Sequence, residues 1–191
     1  GAEQSGFISD MGYETYQKIL AEAMDELGVE TGISTVHTDE SFVEDCTIET
    51  DQPAMIPDSY IDITAEKIRI YKQLDSMTND KEIDRIKAQL EDRFGEMPLE
   101  LDNLFDVVKI RNLGGKLGFE KIIIKNGMMI MFFIANQMSP YYKSKVFSGI
   151  LQNINANDQL FNLKQSEGKL KIVSRGIDSL SKALDTLNKL K

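Results

Sequence analysis

The sequence has little of several residue types, and each scarcity excludes a class of structure or chemistry. Among 191 residues there is one cysteine, Cys46, so no internal disulfide can form. The one histidine, His37, lacks the set of nitrogen and sulfur partners that would complete a metal site. No apolar run approaches the roughly 18 to 20 residues of a membrane span, and the first residues lack the charged and apolar regions of a signal peptide. A reducing, cytoplasmic location is therefore expected.

Basic residues are absent from a long part of the chain. From Ile19 to Glu66 there is no lysine or arginine, against 13 acidic residues. Residues 1–106 hold 26 acids and 8 bases, a balance of −18, whereas residues 107–191 hold 5 acids and 14 bases, a balance of +9. Most of these acidic residues are expected only to keep an exposed surface solvated, without a role in binding. An acidic half of this size nevertheless repels nucleic acid and favours a basic protein partner.

Composition divides the chain near residue 41. Residues 12–27 repeat apolar side chains at helical spacing, which predicts an amphipathic helix. Residues 29–41 are rich in Thr, Ser, Gly and Asp without a period, which predicts an exposed linker. We therefore expect a segment at 1–41, which contains this helix, and a domain at 42–191. The first ten residues of that domain, FVEDCTIETD, predict an extended strand because of their β-branched residues.

Three helices are predicted next, and the last two are joined at a tight corner. Asp62 or Thr64 can cap the first helix, and Asn79 can cap the second. Gly95 suits a left-handed C-terminal cap, and Pro98 suits the first turn of the following helix. The residues predicted to face inward are Ile70, Tyr71, Leu74 and Met77, then Ile83, Ile86, Leu90 and Phe94, then Leu101, Leu104, Phe105 and Val108.

The second half of the chain changes from a helical to an extended period. Asn126 and Gly127, between two apolar runs, predict a hairpin because both residues tolerate the positive φ of a type I′ turn. Ser139 and Pro140 predict the start of a helix. The same order of hairpin and helix is predicted a second time, with a hairpin around residues 166–168 and a last helix. We expect an α+β fold: an N-terminal linker helix, a three-helix acidic layer, and two β-hairpin/helix units forming an antiparallel sheet covered by helices.

The sequence offers no catalytic constellation. GGKLG at 114–118 lacks the spacing of a phosphate-binding loop and follows a helix, so we predict that it ends that helix. Glu91 and Asp92 are adjacent, so on a helix their side chains diverge by about 100° and cannot form a facing carboxylate pair. MMIMFF at 128–133 could form an adaptable methionine surface, but a strand buried on both faces is favoured. An autonomous enzyme is not expected.

Several motifs resemble one protein family. IPDSYI at 56–61, LEDRFGEMP at 90–98 and LGFEKI at 117–122 are similar to the C-terminal domain of the bacterial transcription-repair coupling factor, Mfd, over about residues 42–124. The most specific parts are IPD-x-Y and DRFG-x-x-P, whereas the second half matches in pattern more than in letters. EQSGFISDMGYETY at 3–16 resembles the end of that factor's translocase module and the helix that links it to the C-terminal domain.

The resemblance implies a regulatory role in DNA repair. Members of this family are ATP-dependent DNA translocases, with ATP and magnesium in the motor, that displace RNA polymerase stalled at DNA damage. They recruit the nucleotide-excision-repair protein UvrA through a UvrB-like module. Their C-terminal domain packs on that module, hides its UvrA-binding surface and helps to hold the translocase repressed. The implied function is autoinhibition by a non-catalytic domain that has neither a cofactor nor a membrane partner.

The family also implies which residues make the contact. Family acids beside and within D-R-F-G take part in it, and the matching positions are Gln89 and Asp92. Gln89 lacks the charge, which Glu91 can supply from a different angle. Arg93 either shares in this contact or ties the corner through bonds to nearby carbonyl groups. Gln4 matches a glutamine of the motif that couples ATP hydrolysis to movement on DNA. The alternative function is that the basic C-terminal half contacts DNA or RNA polymerase.

Overall fold

The structure, a computed structural model, describes residues 42–191, so the predicted N-terminal helix and linker lie outside the described residues. The described chain divides into two compact units, one of residues 53–108 and one of residues 42–52 with 109–191. The boundary expected at residue 41 stays a prediction. Between residues 42 and 191, no helix is long and apolar enough to cross a membrane. The expected α+β fold class is confirmed.

The first unit is helical and contains the predicted three-helix layer. Its helices are α1 (Thr64–Ser76), α2 (Asp80–Phe94) and the first half of α3 (Leu99–Leu117). The Asn79 side chain accepts a hydrogen bond from the Lys81 N–H at 2.9 Å, which confirms the predicted cap of α2. Most of the predicted inward residues are buried: Ile70, Tyr71, Leu74, Ile83, Ile86, Leu90, Leu101, Leu104, Phe105 and Val108.

Two local predictions in this unit are wrong. Helix α1 is preceded by Ile63, whose carbonyl begins the helical ladder, so neither Asp62 nor Thr64 occupies the capping position. Among residues 42–191, no side chain caps this end. Gly95 has the expected positive φ, 92°, but its ψ of −164° is extended, not left-handed helical. A glycine is still required at this corner because residues with a Cβ rarely adopt such a φ.

The second unit contains one five-stranded sheet. Its strands are β1 (Thr47–Thr50), β2 (Phe119–Lys125), β3 (Met128–Phe133), β4 (Asn162–Ser166) and β5 (Lys169–Arg175). In space their order is β1-β2-β3-β5-β4. The last four are antiparallel neighbours, as predicted, whereas β1 lies parallel to β2. Parallel pairing is possible here because the long helical connection between β1 and β2 allows the chain to cross over.

Both predicted hairpins turn on two residues with positive φ. The φ angles are 53° and 72° at Asn126 and Gly127, and 53° and 76° at Glu167 and Gly168. These values fit the type I′ turn, whose twist matches that of the flanking strands. Glu167 adopts this conformation without being a glycine or an asparagine. The two hairpins are therefore confirmed, including the one in which only the second turn residue favours a positive φ.

Helix α3 continues through the glycine pair that the sequence predicts as its end. Gly114 and Gly115 lie inside the helix, which stops at Leu117. A Cβ on Gly114 would lie 2.8 Å from Ile122 Cδ1 and 2.9 Å from Cys46 Sγ. The small residue thus allows the helix to approach β2 closely. Gly114 therefore serves close packing, and the helix ends only before Gly118, where φ is 92°.

A short 3-10 helix precedes the helix predicted after β3. Ser139 caps the 3-10 turn at Pro140–Lys143, and Ser144 then caps the next helix by accepting from the Phe147 N–H. The interruption arises because the Ser144 N–H bonds to the Tyr141 carbonyl oxygen at 2.9 Å, in a turn tighter than an α-helix. The last two helices of the unit are α4 (Lys145–Ala156) and α5 (Leu180–Asn188).

Strand β3 buries one face fully and the other only in part. Met129, Met131 and Phe133 are buried, and the Phe133 ring lies 5.5 Å from that of Phe147 in α4. The alternate residues Met128, Ile130 and Phe132 are half-buried. The prediction of a strand buried on both faces is therefore wrong for the second face. On that face the Lys171 ammonium lies 5.9 Å from the centre of the Phe132 ring.

Candidate interaction surface

The two motifs that the sequence marks as most specific meet at the corner between α2 and α3. The Tyr60 hydroxyl, from IPD-x-Y, lies 2.8 Å from the Gly95 carbonyl oxygen and 3.1 Å from that of Leu90. The Tyr60 ring lies 5.8 Å from the ring of Phe94. Burial, and to a smaller extent the Glu91 charge, raises the pKa of Tyr60, so its hydroxyl keeps the donated proton. Tyr60 therefore fixes the end of α2, a role that the sequence did not reveal.

The segment that carries Tyr60 is fastened to α1. The Ile56 N–H donates to the Tyr71 hydroxyl oxygen at 3.0 Å, and burial raises the pKa of Tyr71. Asp58 forms an ion pair with Lys67, whose side chain is almost completely buried. Asp58 and Tyr60, the two polar residues that the motif specifies, thus both have a partner inside the unit. The motif builds the platform on which the corner rests.

Arg93 is also engaged inside the unit. Its guanidinium forms an ion pair with Glu66 of α1 and lies 4.8 Å from the centre of the Phe94 ring. Glu66 pairs with Arg69 as well, at 2.9 Å. The hydrogen bond from Arg69, together with the charges of both guanidinium groups, lowers the pKa of Glu66. Arg93 does tie the corner, but through a carboxylate and a ring, whereas Tyr60 bonds the carbonyl groups.

A second ion pair joins the helices on either side of the corner. The Lys87 ammonium of α2 lies 2.6 Å from a carboxylate oxygen of Asp102 in α3. The contact with the Asp102 carboxylate is the main cause that raises the pKa of Lys87. Both side chains are partly exposed, so this pair adds only a fraction of ~1 kcal/mol to stability.

Three carboxylates at the corner remain available to an outside partner. Glu91, Asp92 and Glu96 are exposed, and within residues 42–191 none of them forms an ion pair or a hydrogen bond. Gln89 is exposed as well and lies three residues before Asp92, which places the two side chains next to each other on α2. The sequence did not single out Glu96, although its position directly after the helix-ending glycine is a usable signal. We call Gln89, Glu91, Asp92 and Glu96 the corner surface.

Other candidate residues are placed differently. Gln4 and His37 lie outside the described residues. Burial, and then the charge of Asp45, raises the pKa of Cys46 to about 12, so its thiol stays protonated at neutral pH. In the part of the chain from residue 42 onward, no three His, Cys, Asp or Glu side chains are grouped to hold a metal ion. The corner surface can offer charge-to-charge and polar contacts to a basic partner.

Comparisons with known proteins agree on one family. A family model described as the TRCF domain matches residues 50–144. The transcription-repair-coupling factor of Rickettsia typhi is 36% identical over 140 residues, which cover 73% of this chain and 12% of that protein. The transcription-repair-coupling factor of Escherichia coli K12 is 30% identical over 143 residues, with the same two coverages.

A solved structure agrees in fold. The crystal structure of a C-terminal domain of transcription-repair coupling factor superposes with a TM-score of 0.65 at 18% sequence identity, covering 76% of this chain and 89% of that one. The chain spans only 12% of the length of the two curated relatives above. Sequence, family model and fold point to the same part of the same protein. The chain therefore belongs to the transcription-repair coupling factor family and represents its C-terminal domain.

Proposed function

We propose that this chain is a non-catalytic regulatory domain that packs on the UvrB-like module of its own parent protein. In that position it covers the surface that binds UvrA and holds the DNA translocase in a repressed state. ATP and magnesium belong to the motor of the parent, and this domain needs no cofactor. UvrA, RNA polymerase and DNA are its partners only through the parent protein, which acts in the cytoplasm.

The observation that carries the proposal is a rigidly built corner with free carboxylates. Tyr60 bonds carbonyl groups at the end of α2, and Arg93 pairs with Glu66 of α1, so both residues fasten the corner to its own unit. Glu91, Asp92 and Glu96 are exposed, and within residues 42–191 none of their carboxylates forms an ion pair or a hydrogen bond. A carboxylate that forms no ion pair among these residues is available to an arginine or lysine of another module. The fixed backbone lowers the entropy lost when such a contact forms.

Weak individual contacts suit a domain that has to be released. An exposed ion pair contributes only ~0 to 1 kcal/mol, so the corner surface gives a weak complex between separate molecules. Tethering within one chain raises the effective concentration to about the millimolar range. That is enough to keep the two modules mostly together until RNA polymerase or DNA shifts the balance.

The proposal is tested by titrating the 191-residue chain into the isolated UvrB-like module at low salt. We expect measurable association, and we expect Asp92→Lys to weaken it about tenfold because an attraction becomes a repulsion. Asp158→Lys makes the same charge change at an exposed residue of the second unit and is expected to have little effect. No association at low salt, or an equal effect of both substitutions, contradicts direct masking.

A second candidate function is contact with DNA or RNA polymerase. The strand register places Lys164, Lys169, Lys171 and Arg175 on one face of the sheet, which we call the basic face. Such a cluster can neutralise phosphates, and each contact to duplex DNA steepens the dependence of log affinity on log salt by about 0.9. A gel-shift titration with Lys171→Glu distinguishes the two functions. A shallow salt dependence that the substitution does not change rejects contact with DNA.

A further inference from the structure

Strand β4 forms an open edge of the sheet. It is the last strand in the order β1-β2-β3-β5-β4, and all five of its residues are exposed. Its pairing with β5 runs through five consecutive residue pairs without a bulge. Proteins usually protect an edge with charged side chains, a proline, a bulge or a covering element. Within residues 42–191, β4 has one charged side chain, Lys164, and none of the other three devices.

The backbone of β4 presents free hydrogen-bonding groups on its outer side. Residue pairs in an antiparallel ladder alternate between bonded and non-bonded, and the pair that closes a two-residue turn, here Ser166 with Lys169, is bonded. By alternation, the N–H and C=O groups of Leu163 and Gln165 point away from β5. No backbone partner for them lies within residues 42–191. Two donors and two acceptors are thus available for a further strand.

The side chains of β4 differ between the two faces of the sheet. Leu163 is 39% exposed and pairs with Ile172 on the face that the helices cover. Lys164 lies directly opposite Lys171 on the basic face, a pairing of like charges that is unfavourable by itself. The one acidic residue of the hairpin, Glu167, lies in its turn. An added strand would therefore meet the apolar Leu163 on one face of the sheet and the positive charge of Lys164 on the other.

These features select among the strands that could bind. An uncharged strand would leave the repulsion between Lys164 and Lys171 in place. Pairing with β4 of a second copy would bring two lysine-rich faces together, which is unfavourable for the same reason. A strand that alternates apolar and acidic residues would place its carboxylates beside Lys164 and its apolar side chains beside Leu163. Lys164 thus deters non-specific strand pairing and at the same time favours a strand with acidic side chains.

We propose that the outer edge of β4 binds an extended acidic segment of a partner protein by strand addition. Backbone bonds to Leu163 and Gln165 supply the pairing. Lys164 and the basic face supply the preference for acidic side chains, and Leu163 receives the apolar ones. This surface lies in the second unit and is independent of the corner surface, so the proposal does not rest on autoinhibition.

The probe for this test is an end-blocked eight-residue peptide of alternating valine and glutamate. It is titrated into the complete 191-residue chain, and amide hydrogen exchange is followed residue by residue. We expect binding with increased protection of the Leu163 and Gln165 amides. A peptide with four valines followed by four glutamates has the same charge and is expected to bind at least about tenfold more weakly, because it cannot place its residues in alternation.

Two substitutions separate strand addition from simple charge attraction. Gln165→Pro removes an outward N–H without breaking a bond to β5, and Lys164→Glu reverses the central charge. Both are expected to weaken binding about tenfold or more, whereas Lys182→Glu, at an exposed lysine of α5, is expected to change it less than about twofold. Amide exchange of unbound Gln165→Pro checks that its hairpin persists. Equal binding of the two peptides, or binding that leaves the Leu163 and Gln165 amides unprotected, overturns the proposal.

Discussion

At the scale of single residues, close packing decides what several positions in this domain tolerate. Gly114 and Gly115 are adjacent in α3, yet their surroundings differ. A Cβ on Gly114 would meet Ile122 and the buried thiol of Cys46 at under 3 Å, whereas a Cβ on Gly115 would meet nothing within 4 Å. The sequence alone shows two adjacent glycines that disfavour a helix. In the folded chain, packing constrains Gly114, whereas Gly115 can accept a side chain.

Substituting each glycine by alanine separates these two roles. Gly114→Ala is expected to lower the free energy of unfolding by about 1 to 3 kcal/mol because the core has to shift to accept a methyl group. Gly115→Ala, the matched control, is expected to raise it by up to about 1 kcal/mol because alanine favours the helix. Urea unfolding of both variants measures the difference. Equal effects would show that the close approach of α3 to Cys46 does not constrain Gly114.

An ion pair at Glu49 predicts how stability changes with pH. The hydrogen bond from Lys121 is the main cause that lowers the pKa of Glu49 below its usual 4.5. A carboxyl group whose pKa is lower in the folded chain than in the unfolded chain stabilises the fold at pH values above its unfolded-state pKa. This stabilisation is lost as the pH falls through the folded-state pKa. Because the pair is partly exposed, its contribution is less than about 1 kcal/mol.

Glu49→Gln is therefore expected to lower stability near pH 6 and to make little difference near pH 3. Unfolding free energies measured across this range test the sign. Lys121→Gln is the matched control, because it removes the nearer of the two basic partners of Glu49, the other being Lys125 at 3.6 Å, and should abolish most of the same pH dependence. A difference between the original chain and Glu49→Gln that grows toward low pH would contradict the assignment.

At the scale of elements, the corner between α2 and α3 depends on one hydroxyl group. Tyr60→Phe leaves the ring contact with Phe94 but removes the bond to the carbonyl groups of Leu90 and Gly95. We expect a loss of about 0.5 to 1.5 kcal/mol in unfolding free energy and faster amide exchange at Gly95. Tyr142→Phe removes a comparable hydroxyl, bonded to the Ile134 carbonyl oxygen in the second unit. It should leave exchange at Gly95 unchanged, and equal effects would contradict the role of Tyr60.

Which elements the sequence could predict follows from the range of the forces that form them. The Asn126-Gly127 turn and the Asn79 cap depend on neighbouring residues and are confirmed. The parallel pairing of β1, the passage of α3 through Gly114 and the half-buried face of β3 depend on distant residues, so local patterns do not contain them. The break after Lys143 depends on a bond to the Tyr141 carbonyl that helical periodicity does not reveal.

At the scale of the whole molecule, the sequence predicts which residues of the candidate site are exposed. It does not predict the contacts that hold the corner in place. Exposure of Gln89, Glu91, Asp92 and Arg93 follows from the stripe of buried residues on α2. The partners of Arg93, and the role of Tyr60 thirty residues before Leu90, require the folded chain. That the corner surface is an interface stays a prediction. That the acidic and basic halves of the chain bind different kinds of partner also stays a prediction.

The most direct test of autoinhibition uses the complete parent protein with Asp92→Lys. ATPase activity and UvrA binding are measured together, because a domain that masks the UvrB-like module and represses the motor controls both. The account predicts that both rise severalfold, and that Asp158→Lys leaves both unchanged. Unchanged ATPase activity and unchanged UvrA binding in Asp92→Lys would contradict it and would make the corner a purely structural feature.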